Sequence, residues 1–384
     1  MRICLVSSSF YPATFYGGPI SATWGLSKKL AQKGIEVYVS TTNANGVSKL
    51  DVNVNMFIEK DENLFVKYYN EQIINKLSFA FIFGIWSDIK KSDVVYIQYL
   101  FHYSVFISLL FAFLLRKKVI LCPRGSLSSW GLSYKHKWIK MIWLTVFISP
   151  FVKNVIWQAC SYLEIDDIKN VFKKSKVVEI NDGIDFASFQ DSEKISKLEL
   201  VNRFSNQDFQ IVSDVFFSMG RLHEIKGFDV IIDAFNLFIK NNKDAKLIIA
   251  GGDDGMEMQL KNQIVKLNLK NSVFLIGAVN FEDKKLLLNN CDYFTLASRF
   301  ESFGIVIAEA LSCGKPVVVS NKTPWKDIEK NNCGIFTQNH KVSFFNSFYA
   351  IKDRKFNGEM IKEFVKSNFD WNIIADRFIK TIKK

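Results

Sequence analysis

Val215-Phe216-Phe217-Ser218-Met219-Gly220, followed by Arg221-Leu222-His223-Glu224-Ile225-Lys226-Gly227, decides how the second half of this 384-residue chain is read. A short apolar run closed by glycine predicts a buried strand over 215–220, and the apolar periodicity after Gly227 predicts a helix over 228–241. Strand, glycine-bounded turn and helix open a βαβ unit. Going forward, strands are expected over 246–250, 273–276, 292–296 and 316–320, with an apolar helix over 305–312 stopped by Cys313-Gly314. Going backward, the first half shows the same alternation. Strands are expected over 3–7, 36–41, 93–98, 119–122 and 177–180, and helices over 21–33 and 105–115. Uniformly apolar strands separated by helices imply parallel sheets covered on both faces, with ligands at the carboxyl ends of the strands. The fold class is therefore α/β, with two doubly wound domains. The junction is expected near the polar stretch that starts at about Ser188.

Length and composition agree with this. A chain of 384 residues suggests two domains, and 48% hydrophobic residues, including 36 Phe, supply two cores. The formal charge of +12 favours anionic partners or is simply a solubilising surface. None of the six cysteines forms a CxxC pair and the four histidines are scattered, so reduced buried thiols in a cytoplasmic protein are expected, with no zinc site. No signal peptide is visible at the N-terminus. The longest apolar run, 103–115, is shorter than the roughly 20 residues that span a bilayer, and reads as a buried helix or a monotopic membrane face.

Two motifs carry chemistry. Gly220–Gly227 brings Arg221 and Lys226 to a strand-to-helix turn, where free amides and the helix dipole already favour a phosphate. Arg adds a bidentate clamp and Lys a point charge. Alone, these are as readily two solvated cations. The second motif is Glu301-Ser302-Phe303-Gly304-Ile305-Val306-Ile307-Ala308-Glu309. Amides near Gly304 and Ile305 would face a diphosphate. Glu309, on the apolar helix, needs donors such as ribose hydroxyls, and Glu301 in the loop can reach a sugar. Cations for a diphosphate together with carboxylates for hydroxyls suit a nucleotide-sugar. Gly17-Gly18, before the first helix, allows close approach of a phosphate or acceptor. Asn181-Asp182-Gly183-Ile184-Asp185 is either a structural turn or a substrate contact. No Asp-x-Asp pair of the kind that carries nucleotide-sugars on a divalent metal occurs, so no metal is expected.

On these residues the chain resembles the retaining GT-B glycosyltransferases of family 4, over nearly its whole length. The G-R-L-x-x-x-K-G stretch at 220–227 and the E-x7-E stretch at 301–309 are the most specific marks, supported by the Gly17-Gly18 loop and the 181–185 turn. Pro123-Arg124-Gly125-Ser126-Leu127-Ser128-Ser129-Trp130-Gly131-Leu132 and Thr323-Pro324-Trp325-Lys326 are similar to a bacterial subgroup that builds O-antigen, capsule and exopolysaccharide. The resemblance implies two Rossmann-like domains facing a central cleft. Residues 1–187 would bind the acceptor, with the last helix (369–384) packing back on them, and 188–368 would bind the donor. It implies metal-independent transfer of a hexose-type sugar with retention, in which Arg221 and Lys226 hold the diphosphate, Glu309 the ribose and Glu301 the sugar. Phe303, Gly304, Ile305, Gly251 and Gly277 complete the donor set. A UDP-sugar is favoured over GDP-mannose, and the acceptor would be an undecaprenyl-diphosphate-linked or growing glycan.

One departure stands out. Where many family members carry a cleft His, this chain has Arg124. Arg cannot act as a general base but can hold a phosphate, and His102 is a possible substitute. Lys135, His136, Lys137 and Lys140 interleave with Trp130, Trp138, Ile139, Met141, Ile142 and Trp143, which suits either an anionic inner-membrane face or a solvated helix over an aromatic core. Other GT-B enzymes, a nucleotide-sugar epimerase or a phosphorylase, remain alternatives. Nothing resembles a nucleic-acid module.

Overall fold

The computed structural model describes residues 1–73 and 77–383. The chain forms two compact units: Met1–Gly183 together with the segment from Trp371 onward, and Ile184–Asp370. The crossings thus fall at Gly183/Ile184 and Asp370/Trp371, whereas the sequence placed them at 187/188 and 368/369. The helix Lys197–Ser205, in the expected junction, is part of the second unit.

Among the described residues, the main sheet of the first unit has eight strands: β1 (Arg2–Val6), β2 (Glu36–Thr42), β3 (Phe57–Asp61), β4 (Leu64–Tyr69), β5 (Val94–Gln98), β6 (Lys118–Cys122), β7 (Val155–Ala159) and β8 (Lys176–Glu179). Their order is β8-β7-β6-β5-β1-β2-β4-β3. All pairings are parallel except β3 with β4. The sequence reading missed β3, β4 and β7 and the helix Phe79–Lys90. β3 carries Glu59, Lys60 and Asp61, a charged edge that discourages further pairing and hides the strand signal. The helix Gly18–Gln32 begins before the expected Ser21, because Pro19 is at home in a first turn.

The last helix, Trp371–Lys383, packs within this first unit. Phe378 lies 4.8 Å from the Tyr96 ring, Lys33 pairs with Asp376 at 2.8 Å, and Lys118 Nζ donates to the Ile382 carbonyl at 2.8 Å. Residue 384, the last of the span expected for it, lies outside the described residues.

The second unit has six strands, all parallel: β9 (Val215–Met219), β10 (Lys246–Ala250), β11 (Val273–Leu275), β12 (Tyr293–Leu296), β13 (Val317–Ser320) and β14 (Gly334–Thr337). Their order is β11-β10-β9-β12-β13-β14, the doubly wound arrangement whose direction of winding reverses between β9 and β12. Phenylalanine fills its core: the Phe216 ring lies 4.9 Å from Phe348 and 5.4 Å from Phe238, all fully buried. Each such ring contributes about 2–3 kcal/mol by leaving water. All six cysteines are free and buried, with the Cys122 and Cys160 sulfurs 3.5 Å apart.

Candidate active site

In a doubly wound sheet, the loops leaving the two strands at the reversal point diverge and leave a crevice at the carboxyl edge. In the second unit these are the turn 220–227 after β9 and the loop 297–304 after β12. Both expected motifs lie there. Lys226 Nζ and Glu301 Oε1 are 2.6 Å apart, with side chains only 18% and 11% exposed. The Ser298 hydroxyl donates to the same oxygen at 2.7 Å. Ser298 itself is fully buried, so this second contact on Glu301 is shielded from water.

The two loops are also tied to one another. The Arg299 amide donates to the Ile225 carbonyl at 2.7 Å, and its guanidinium grips Asp229 through two bonds of 3.1 and 2.7 Å. Asn339 Nδ2 donates to the Ala297 and Ser298 carbonyls at 2.6 and 2.9 Å. Gly227 sits at φ 66°, and a Cβ there would lie 1.9 Å from the Ala297 carbonyl oxygen. Only glycine meets both demands.

Gly304 caps the helix Ile305–Ser312 at φ 84°. The first amides of a helix have no partner within it, and its dipole is positive at that end. Ile305 opens the helix. Glu309 is five-eighths of the way along it, 9% exposed, and its Oε1 receives Lys284 Nζ at 2.7 Å. Lys284 was not anticipated: it comes from the neighbouring helix Phe281–Asn290 and belongs to no local motif. Arg221 is half exposed and pairs with Asp254 at 2.6 Å. Gly251 and Gly277 follow β10 and β11, joined by an amide-to-carbonyl bond of 2.7 Å. The Phe303 ring, expected in the donor set, is 3% exposed and packed 5.2 Å from Trp325 and 5.5 Å from Phe369. Its side chain is a core residue, and Trp325 Nε1 donates to its carbonyl at 2.6 Å.

The first unit presents its own carboxyl edge, with Gly17 at φ 71° just before the helix that Gly18 opens. Two residues expected to act in catalysis have intramolecular partners there. Arg124 does not reach out to a phosphate. Its side chain is 2% exposed and turned inward, its Nη1 paired with Asp182 and its Nε donating to Gln98 at 2.7 Å. Burial, the largest single influence, pulls the guanidinium pKa down, but Asp182 together with Cys122, Cys160 and Tyr96 outweighs it and raises it well above the usual value. Asp182 belongs to the 181–185 turn, which this pair ties to the loop after β6. His102 caps the helix Tyr103–Leu114: its Nδ1 lies 2.7 Å from the Ser104 hydroxyl and accepts from the Ser104 amide. Burial lowers its pKa from 6.5 to about 4. A neutral ring committed to a cap fits a structural role better than the catalytic one expected of it.

The basic and tryptophan-rich segment forms a short helix, Lys137–Trp143, with Trp138 67% and Ile142 51% exposed. Lys140 is turned back onto the Gly131 and Tyr134 carbonyls. Among the described residues, no helix is long and apolar enough to cross a membrane and no group of three or more His, Cys, Asp or Glu is placed to hold a metal ion.

Residues 205–346 match the family profile described as "Glycosyl transferases group 1". That stretch contains both motifs, Lys284 and Asp254. Mannosylfructose-phosphate synthase of Agrobacterium fabrum is 34% identical over 121 residues, which is 30% of this chain and 27% of that protein. The Escherichia coli UDP-Gal:alpha-D-GlcNAc-diphosphoundecaprenol alpha-1,3-galactosyltransferase is 29% identical over 238 residues, 58% of each. The chain thus spans between about a quarter and somewhat over half the length of these relatives. Among solved structures, Anabaena HepE in complex with UDP and glucose matches with a TM-score of 0.76 at 19% identity, covering 100% of this chain and 99% of that one. The fold is that of the GT-B glycosyltransferases, with two Rossmann-like α/β units, and within it residues 205–346 are similar to the group 1 glycosyl transferases.

Proposed function

We propose that this chain is a retaining glycosyltransferase that moves a hexose-type sugar from a nucleotide-sugar to a lipid-linked or growing bacterial surface glycan. The observation that carries the reading is the pair Lys226–Glu301 at the reversal point of the second sheet, with Arg221 on the same turn as Lys226 and Glu309 on the adjoining helix. The second unit would take the donor. Arg221, Lys226 and the amide end of the helix Ile305–Ser312 meet its diphosphate, Glu309 the ribose and Glu301 the sugar. A UDP-sugar is favoured over GDP-mannose, since UDP-Gal stands in the name of the E. coli relative and UDP in the HepE complex.

In the reaction, the bond from the sugar C1 to the diphosphate oxygen breaks and its electron pair goes to the leaving diphosphate. Arg221 and Lys226 neutralise the charge that builds there. The acceptor hydroxyl oxygen bonds C1 on the same face, and its proton passes to a diphosphate oxygen. This route needs no metal and no general base from the protein.

The acceptor would lie on the first unit, and an undecaprenyl-diphosphate-linked glycan is the chemistry named for the E. coli relative. Such an acceptor would bring the enzyme to the cytoplasmic face of the inner membrane, where Trp138 and Ile142 with their flanking lysines suit an anionic surface. The role would then be O-antigen, capsule or exopolysaccharide synthesis.

The test is thermal stabilisation in EDTA by UDP, GDP and ADP, followed by transfer assays on a synthetic lipid-diphosphate sugar. A ligand present at 100 times its dissociation constant stabilises by about 2.7 kcal/mol. Stabilisation by UDP and acceptor-dependent release of UDP are expected. Conversion of the nucleotide-sugar without acceptor would mark an epimerase instead, and no response to any nucleotide would sink the proposal.

A further inference from the structure

Glu309 is placed by a residue outside the E-x7-E motif. Its Oε1 is occupied by Lys284 Nζ at 2.7 Å, while Oε2 has no hydrogen-bond partner among the described residues. The carboxylate is 12% exposed and the lysine 16%, so neither is a floppy surface group. Lys284 is fixed in turn. Its ammonium lies 5.3 Å from the centroids of both Phe189 and Phe281, whose rings meet edge to face at 5.4 Å. Its helix is anchored by Asn280, whose side chain accepts the Asp283 amide at 2.8 Å. Two aromatic faces and one carboxylate therefore define where the ammonium sits, and the ammonium defines which carboxylate oxygen is spent.

A carboxylate this poorly hydrated needs a counter-charge to stay on an apolar helix. A hydroxyl-binding carboxylate also needs one oxygen free and aimed, since a ligand that must first order its partner binds more weakly. We infer that Lys284 is a positioning residue for the nucleotide: by taking Oε1 it leaves Oε2 of Glu309 fixed to accept from a cis-diol, the ribose 2′- and 3′-hydroxyls. This rests on the nucleotide-binding reading above. The same pair serving only to join two helices would stabilise the fold but would be indifferent to those hydroxyls.

The experiment separates the two roles by comparing a nucleotide with its dideoxy analogue. Binding of UDP, GDP and ADP to the full chain is measured by calorimetry in EDTA, and then that of the 2′,3′-dideoxy form of whichever binds. Wild type is expected to prefer the natural nucleotide by roughly tenfold or more, the scale of one hydrogen bond to a charged group. In Lys284→Met the preference should fall toward unity, and Lys284→Arg should restore part of it. Glu309→Gln should also lose the preference, and adding Lys284→Met to it should cost nothing more. If Lys284→Met melts lower but keeps the wild-type preference, Lys284 is a helix tie and the inference is overturned. If wild type binds no nucleotide at all, the nucleotide reading itself falls, and the role of Lys284 with it.

Discussion

Arg124 and Asp182 are 58 residues apart in the chain and close an ion pair in the interior of the first unit, with 2% and 7% of their side chains exposed. The arginine stands in the left-handed region at φ 54° and its Nη2 is buried with no partner among the described residues. Breaking one half of such a pair leaves an uncompensated buried charge, at a cost of roughly 3–5 kcal/mol. Asp182→Ala should therefore lower the urea midpoint of unfolding sharply. The double variant with Arg124→Met should recover part of the loss. Equal and additive losses would show that the two charges do not sense one another.

Lys226 and Glu301 are expected to fail in catalysis rather than in folding. Lys226→Met should lower kcat/KM for the donor by about 10²–10³, the usual cost of one transition-state donor. Its melting temperature should change far less than that of Asp182→Ala. A variant with wild-type turnover would remove Lys226 from the reaction.

Arg221 is engaged with Asp254 through a pair exposed by 50% and 34%. Exposed pairs are worth only about 0.2–1 kcal/mol, so a diphosphate can displace this one easily. Asp254→Asn should tighten nucleoside diphosphate binding by up to about fivefold, since 1.4 kcal/mol is a factor of ten. The gain should shrink as salt is raised. Weaker binding would mean that Asp254 orients Arg221 instead of competing for it.

His102 predicts a pH dependence. Burial lowers its folded pKa from 6.5 to about 4, so the unfolded chain holds more protons between those values. Stability from this residue is complete above pH 6.5 and is lost as pH falls toward 4, on the order of 3 kcal/mol in all. Asp167, in the same unit, is raised from 3.8 to about 6 by burial and by Asp166, and acts in the opposite direction over part of the window. The measurement is thus the difference between wild type and His102→Asn, which keeps a capping side chain. That difference should shrink between pH 6.5 and 4. A constant difference would show that the imidazole is not titrating there.

The legible parts of this molecule were those whose signal lies within one stretch of chain. Val215 to Phe228 holds a strand end, a turn and a helix start, and Glu301 to Glu309 a turn and a helix start, so glycine placement and charge sufficed to locate them. The partners of Arg124 and His102 are not legible in the same way: both follow strands at the expected edge, and sequence does not say whether a side chain turns outward or in. Asp182 decided it for Arg124 and Ser104 for His102. Lys284 was invisible for a related reason: nothing around it is unusual, and its meaning comes from Glu309 on another helix. The strand Leu64–Tyr69 was passed over because it is paired with a charged edge strand.

The burial of every cysteine gives the chain a built-in clock. Cys4, Cys122 and Cys160 lie in the first unit and Cys291, Cys313 and Cys333 in the second. Burial pushes the Cys291 and Cys313 thiols up to about 12 and Cys333 to about 11, so hardly any thiolate exists near neutrality. Alkylating reagents are therefore excluded from the native protein, and each thiol becomes reactive only as its own unit opens. Pulse alkylation followed by peptide mass analysis would time the opening of the two units independently, in one sample and without any engineered probe. A single cysteine added at the surface would, for the same reason, label cleanly.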